Sequence, residues 1–268
     1  VILMCRILFA VGEGKRVRPL LEALLKSSEH DPYKLARNKG SQHRDGWGYV
    51  LLKDDYVEHY RSESAIFEDR RKVNEVIEKL DGFVVFLAHT RAASQGEKNL
   101  FNVQPFAFST KRGFIFWTMH NGDLDKDKLI EMGELNPMEL KGASDSYTMG
   151  VYLCRFLEGL EKEHLLKRFR EIKTAAKSLL NTATLLMNSE KEVRAFITAY
   201  MSDLYASNTL NYYYGRLLYF EGADIFAVVS STFEQYSYIP FEEVENRTAF
   251  YVRIYPSEKK FEVEEIGF

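Results

Sequence analysis

A chain of 268 residues that is 46% hydrophobic holds ample apolar material for a core, and its formal net charge of −3, from 36 basic and 39 acidic side chains, provides no basic stripe for nucleic-acid phosphates. No apolar run approaches the ~20 residues that span a bilayer. Two cysteines, Cys5 and Cys154, with no Cys-x-x-Cys pair, exclude a disulfide framework and a zinc or redox motif, so a cytoplasmic protein without nucleic-acid or membrane partners is expected.

Residues 5–11 (CRILFAV) form an apolar run closed by Gly12 and Gly14, which predicts a buried strand close to the start of the sequence. Val17, Leu20, Leu21, Leu24 and Leu25 then recur at helical spacing, with Pro19 placed in a first turn. Residues 46–53 and 56–60 read as a hairpin joined by Asp54-Asp55, and a helix over 69–80 precedes a strand over 83–89. A further strand over 113–120 runs into a polar turn, Asn121-Gly122-Asp123.

From Asp145 the period becomes helical. Met149, Tyr152, Leu153, Phe156, Leu157 and Leu160 share one face, and Leu165, Leu166, Phe169, Ile172, Ala176 and Leu179 share another. Strands are expected again over 183–187, 193–200, 211–220, 225–230, 249–255 and 261–266. Tyr212-Tyr213-Tyr214 falls inside one of them and reads as core or interface packing rather than a ligand platform. Strands, two helices, then strands, without a repeat or linker, predict one α+β domain over residues 1–268.

Four segments carry chemistry: Met4-Cys5-Arg6, His43-Arg44-Asp45-Gly46-Trp47-Gly48, Ala88-His89-Thr90-Arg91-Ala92-Ala93-Ser94 and His120-Asn121-Gly122, the last followed by Ser144-Asp145-Ser146. Each has an ordinary reading by itself. Cys5 would be a small core residue, Asn121-Gly122 a hairpin turn, Arg91 a surface ion pair and Asp145 a helix N-cap. In order and spacing, however, the set resembles the landmarks of the class II glutamine amidotransferases, and HRDGWG resembles the compact single-domain branch of that family. The resemblance implies a four-layer αββα sandwich of the N-terminal-nucleophile (Ntn) hydrolase type, with two mainly antiparallel sheets covered by helices.

It also implies roles. Cys5 is the nucleophile and its own α-amine the base, since a thiol near pKa 8.5 and an α-amine near 7.7–8.0 place both functions in one residue. Asn121 and the Gly122 N–H form the oxyanion hole, Arg91 takes the substrate carboxylate with help from the Ser94 hydroxyl, and Asp145 receives the substrate ammonium. Arg44 and His89 are assigned as support. His43, His89 and His120 lack the spacing of a helical zinc motif, so no metal and no cofactor are expected. Cys154 reads as core.

The implied substrate is glutamine or a γ-glutamyl compound, with a separate ammonia-accepting synthetase subunit as a partner. Two alternatives stay open: a γ-glutamyl amide hydrolase acting on a larger conjugate, and a catalytically silent glutamine-binding subunit. Val1 to Met4 precede the nucleophile and would block its amine. They are expected to be a leader or a misassigned start, with translation beginning at Met4 and an aminopeptidase exposing Cys5.

Overall fold

The computed structural model describes residues 4–54 and 56–268. Of the expected leader only Met4 therefore falls within it, and Asp55 of the hairpin turn lies outside the described residues. The chain opens with β1 (Arg6–Glu13), α1 (Gly14–Glu29) and a short α2 (Pro32–Ala36), followed by the hairpin β2 (Trp47–Lys53) and β3 (Tyr56–Ser62), then α3 (Arg70–Lys79) and β4 (Phe83–Thr90). Next come β5 (Phe106–Ser109), β6 (Phe114–Leu124), α4 (Lys126–Gly133), α5 (Asp145–Phe156), α6 (Lys162–Lys173), β7 (Ala176–Asn188) and β8 (Val193–Ala199). The last part contains α7 (Asp203–Ala206), α8 (Thr209–Gly215), β9 (Leu217–Gly222), β10 (Ile225–Ser230), β11 (Glu242–Glu243), β12 (Thr248–Tyr255) and β13 (Lys260–Gly267).

The strands form two antiparallel sheets, one of seven in the order β11-β9-β10-β1-β4-β2-β3 and one of six in the order β13-β12-β8-β7-β6-β5. Strand β1 lies mid-sheet between β10 and β4, so both of its faces must be apolar. Leu8 and Ala10 pack outward with Val17, Leu20, Leu21 and Leu24 of α1 and Val73 and Val76 of α3, whereas Ile7, Phe9 and Val11 face the second sheet. Between the sheets Phe9, Phe226, Phe250, Leu185 and Ile197 share one cluster, with Phe226 and Phe250 edge to face at 5.2 Å. On the far side Met149, Leu153, Leu165, Phe169 and Ile172 of α5 and α6 cover the second sheet. The order helix, sheet, sheet, helix is the expected four-layer sandwich.

Several local expectations are corrected. Residues 121–123 are not a turn: β6 continues to Leu124, pairing Asn121 with Asn181 and Gly122 with Leu180 before a register shift at Leu124. Asn-Gly closes a hairpin only if the flanking segments can pair with each other. Here the following segment is helical, and the 13-residue β7 pairs instead. Ala176 and Leu179 lie in β7, not in the preceding helix, which ends at Lys173.

The strand expected over 211–220 begins only at Leu217. Tyr212, Tyr213 and Tyr214 are helical, because Asn208 caps α8 by accepting the Asn211 N–H at 3.0 Å. Pro19 sits inside α1 rather than in its first turn, so the buried apolar face of that helix holds despite a missing donor. Asp145 is not the cap of α5. Ser144 is, accepting the Tyr147 N–H at 3.1 Å, and Asp145 is the first helical residue. Cys154 packs, partly buried, against the core beneath α5.

Candidate active site

Cys5 immediately precedes β1 in the middle of the first sheet, while Asn121 and Gly122 lie near the C-terminal end of β6 in the second. The two sheets meet there. The Cys5 N–H donates to Asn121 Oδ1 at 2.9 Å, and Cys5 Sγ lies 3.8 Å from the Ala92 carbonyl, in the loop that leaves β4. Burial pushes the Cys5 thiol up; the contact with Ala92 and the cations of Arg91 and Lys34 pull it back, and Asp145 opposes them. A thiol so placed stays largely protonated at neutral pH and needs a base.

With its Oδ1 turned to the Cys5 nitrogen, the Asn121 amide points its Nδ2 donor elsewhere. The next residue admits no side chain: a Cβ on Gly122 would lie 2.0 Å from the Leu179 carbonyl oxygen and 2.6 Å from His120 Nε2. His120 itself is anchored by Ser146 Oγ at 2.9 Å and by the Leu179 carbonyl at 3.2 Å.

Two opposite charges are buried beside the thiol. Arg91 is 3% exposed; its Nη2 donates to the Gln95 carbonyl at 3.1 Å, and its Nη1 is buried without a partner. Backbone bonds from Arg91 N–H to the Gly46 carbonyl (2.8 Å) and from Asp45 N–H to the Arg91 carbonyl (3.0 Å) lock the HRDGWG segment against it. Asp145, also 3% exposed, accepts the Leu124 N–H and the Ser146 N–H at 2.8 Å each. Burial raises its pKa, with His120 and these two donors opposing. Each carboxylate oxygen keeps lone-pair capacity for a further donor. A guanidinium with one unpartnered Nη and a desolvated carboxylate match an α-carboxylate and an α-ammonium.

Other expected residues stand apart. Ser94 is exposed on the loop after β4. Arg44 is exposed too and pairs with Glu68 and with Gln42 Oε1 at 2.8 Å, so it does not reach the thiol as a neighbour. His89 is fully buried in β4, burial holds it well below the usual imidazole range, and neither ring nitrogen has a partner. Among the described residues no group of three or more His, Cys, Asp or Glu side chains is arranged to hold a metal.

A charged cluster that the sequence reading missed lies directly behind Cys5. Arg6 Nε donates to Asp31 Oδ2 at 2.8 Å and His43 Nε2 bonds the same oxygen at 2.8 Å, all three side chains being fully buried. Arg6 lies over the Tyr214 ring at 4.0 Å and donates to the Cys5 carbonyl at 3.3 Å, which fixes the backbone at Cys5. Asp31 also caps α2 through the Lys34 N–H at 3.0 Å, and Lys34 Nζ turns inward to the Gln42 carbonyl. Asp31-Pro32 is the start signal of a helix and would have located this element.

A sequence model described as "Glutamine amidotransferases class-II" matches residues 28–242. No curated protein matches the chain by sequence. Among solved structures, glutamine phosphoribosylpyrophosphate amidotransferase from B. subtilis, complexed with ADP and GMP, is similar over 97% of this chain and 49% of its own, at 17% identity and a TM-score of 0.58. A structure described as the allosteric regulatory enzyme of purine biosynthesis is similar over 97% of this chain and 48% of its own, at 15% identity and a TM-score of 0.61. A glutamine aminotransferase class-II domain protein from Silicibacter pomeroyi is similar over 98% of this chain and 99% of its own, at 16% identity and a TM-score of 0.51. The chain thus spans about half the length of the first two and nearly all of the third. At these identities the likeness is one of fold. No helix among the described residues is long and apolar enough to cross a membrane.

Proposed function

We propose a reaction from a fixed premise: the chain belongs to the class II glutamine amidotransferases. In this proposal Cys5 hydrolyses the side-chain amide of glutamine to glutamate and ammonia. One observation carries it, the 2.9 Å bond that holds the Cys5 nitrogen on Asn121 Oδ1 beside a thiol whose pKa burial raises. With nothing acylating that nitrogen, the amine takes the thiol proton as sulfur attacks the γ-carbonyl carbon. Asn121 Nδ2 and the Gly122 N–H receive the oxyanion, a pair of donors each worth about 3 to 4 kcal/mol in comparable sites.

The protonated amine then gives its proton to the departing nitrogen, ammonia leaves, and water hydrolyses the γ-glutamyl thioester. Arg91 grips the substrate carboxylate through its unpartnered Nη1, and Asp145 grips the ammonium. Ser94 assists only if its loop turns inward on binding. His89 acts as a neutral wall. The whole chain serves as one domain without a metal or cofactor, in a reducing compartment that suits free Cys5 and Cys154. Ammonia is released to solvent or to a separate synthetase subunit.

The working form therefore begins at Cys5. The test is glutamate and ammonia release from glutamine by protein whose first residue is Cys5, beside the same protein carrying Cys5→Ala and the form that retains Met4. Activity only in the first supports the mechanism. Equal activity with Met4 in place eliminates the free amine as base, and equal activity in Cys5→Ala eliminates the nucleophile.

A further inference from the structure

One carboxylate beside the site has no part in the proposed reaction. Asp123 directly follows Gly122, the residue whose N–H is proposed to receive the oxyanion, and it is half-buried, within reach of solvent. Burial is the largest cause of the raised pKa of Asp145, and the charge of Asp123 adds to it, so the two carboxylates are neighbours. Leu124 ties them together further. Its N–H donates to Asp145 Oδ2 at 2.8 Å, and its carbonyl accepts the Gln95 side-chain amide at 3.3 Å. The same amide donates to Asp123 Oδ1.

Gln95 therefore spans the site. Its backbone carbonyl accepts Arg91 Nη2 at 3.1 Å, while its side-chain amide reaches Asp123 and Leu124 on β6. Gly96 lays the loop there: at a φ of 74° it approaches Ser144, the cap of α5, so closely that a Cβ would lie 2.9 Å from the Ser144 nitrogen. One neutral residue thus stands between a buried guanidinium and a pair of carboxylates, giving Arg91 a carbonyl and Asp123 an amide, and Arg91 Nη1 is still left unpartnered. A ligand that brings a carboxylate and an ammonium adds an opposite charge to each of those bonds, so it competes favourably for the place of Gln95.

We propose that Asp123 is a second carboxylate of the pocket for the substrate's α-ammonium, and that the Gln95 amide is its place-holder, displaced by the arriving ammonium. The proposal rests on the glutamine site read above and not on Cys5 as nucleophile. Two carboxylates around one ammonium make the pocket specific for a free α-amine, because an N-acylated γ-glutamyl compound brings a neutral amide that binds Asp123 no better than Gln95 does. Since the bond from Gln95 to Asp123 must open before the ammonium can enter, it lowers the apparent affinity for glutamine.

The experiment measures equilibrium binding by ligand-observed NMR, on protein that begins at residue 5 and carries Cys5→Ala, so that ligands bind without being consumed. The ligands are L-glutamine and 4-carbamoylbutanoate, which keeps the carboxylate and the amide but has no ammonium. Asp123→Asn should weaken glutamine roughly tenfold and leave 4-carbamoylbutanoate unchanged. Gln95→Ala should tighten glutamine about three- to tenfold, again with the analogue unchanged, a gain that loss of a merely structural contact would not produce. Equal losses for both ligands in Asp123→Asn, or weaker glutamine binding in Gln95→Ala, overturn the proposal. The two variants are separate readouts, so if one fails to fold the other decides. The expected shifts together with no glutamate release by the Cys5 form support the pocket and overturn the nucleophile alone. No glutamine binding by folded protein overturns the pocket and the glutamine reading together.

Discussion

Gly122→Ala is the most informative single perturbation of the site. An added Cβ would meet the Leu179 carbonyl oxygen at 2.0 Å and His120 Nε2 at 2.6 Å, whereas real Cβ atoms essentially never approach closer than 3.0 Å. Strands β6 and β7 must therefore separate locally by about 1 Å at the residue whose N–H is proposed to bind the oxyanion. A displacement of that size typically costs on the order of 100-fold in rate, which equals about 2.7 kcal/mol of transition-state stabilisation. Loss of the donor outright would cost on the order of 100- to 1,000-fold. The overpacking itself should reduce stability by about 1 to 3 kcal/mol. The assay is steady-state glutamate release by protein beginning at Cys5, with thermal melting alongside. Gly267→Ala serves as control, since a Cβ there meets nothing within 4 Å. The expected result is a kcat reduced about 100-fold with KM little changed. A Gly122→Ala enzyme within threefold of wild-type kcat would refute both the close approach and the role of this peptide in catalysis.

Arg91→Ala should raise the KM for glutamine roughly 10- to 100-fold, the worth of hydrogen bonds to a charged group, and Arg91→Lys should recover only part of it; an unchanged KM in Arg91→Ala would remove the arginine from the substrate site. Asp145→Asn should weaken glutamine while leaving an analogue that lacks the α-ammonium unaffected, and equal losses for both would show that the carboxylate acts only through its bonds to Leu124 and Ser146. Asp31→Asn leaves Arg6 buried without its counter-charge, so urea unfolding should show a loss of about 3 to 5 kcal/mol; a loss under 1 kcal/mol would refute the buried pairing. Burial depresses the pKa of His43, to about 4, and also those of His59, His89 and His120. The unfolded chain binds these protons near pH 6.5 and the folded chain does not, so the stability they contribute is fully present above about 6.5 and is lost as pH falls towards the folded values, by up to about 1.4 kcal/mol per pH unit for each ring. Urea midpoints between pH 7 and pH 5 measure that slope, and His43→Asn should flatten it by about one proton.

The sandwich was legible where apolar periodicity was unambiguous. Residues 7–11 are apolar at every position because β1 lies under a helix layer and over a second sheet, and the hairpin of β2 and β3 announced itself through its turn. Around 176–179 a helical and an extended period share the same apolar positions, so only pairing with β6 and β8 decides the outcome. The tyrosines of α8 read as strand by composition, although a local Asn cap and burial of Tyr214 under Arg6 fold them as a helix. The motif order brought Cys5, Asn121, Gly122, Arg91 and Asp145 to notice, and these five converge. Arg6 and His43 lie within the motif segments, but their pairing through Asp31 gave no signal, since the cluster joins positions 25 and 12 residues apart and exists only after folding.

The bond from the Cys5 nitrogen to Asn121 crosses from one sheet to the other. Cys5, the proposed nucleophile and base, thus belongs to one sheet and the proposed oxyanion donors to the other, so the proposed reaction geometry depends on how the two sheets pack. The aromatic pair Phe226 and Phe250, from β10 and β12, bridges that same interface with ring centroids 5.2 Å apart. Trimming either ring should detune turnover from a distance, with every polar contact to the substrate left in place.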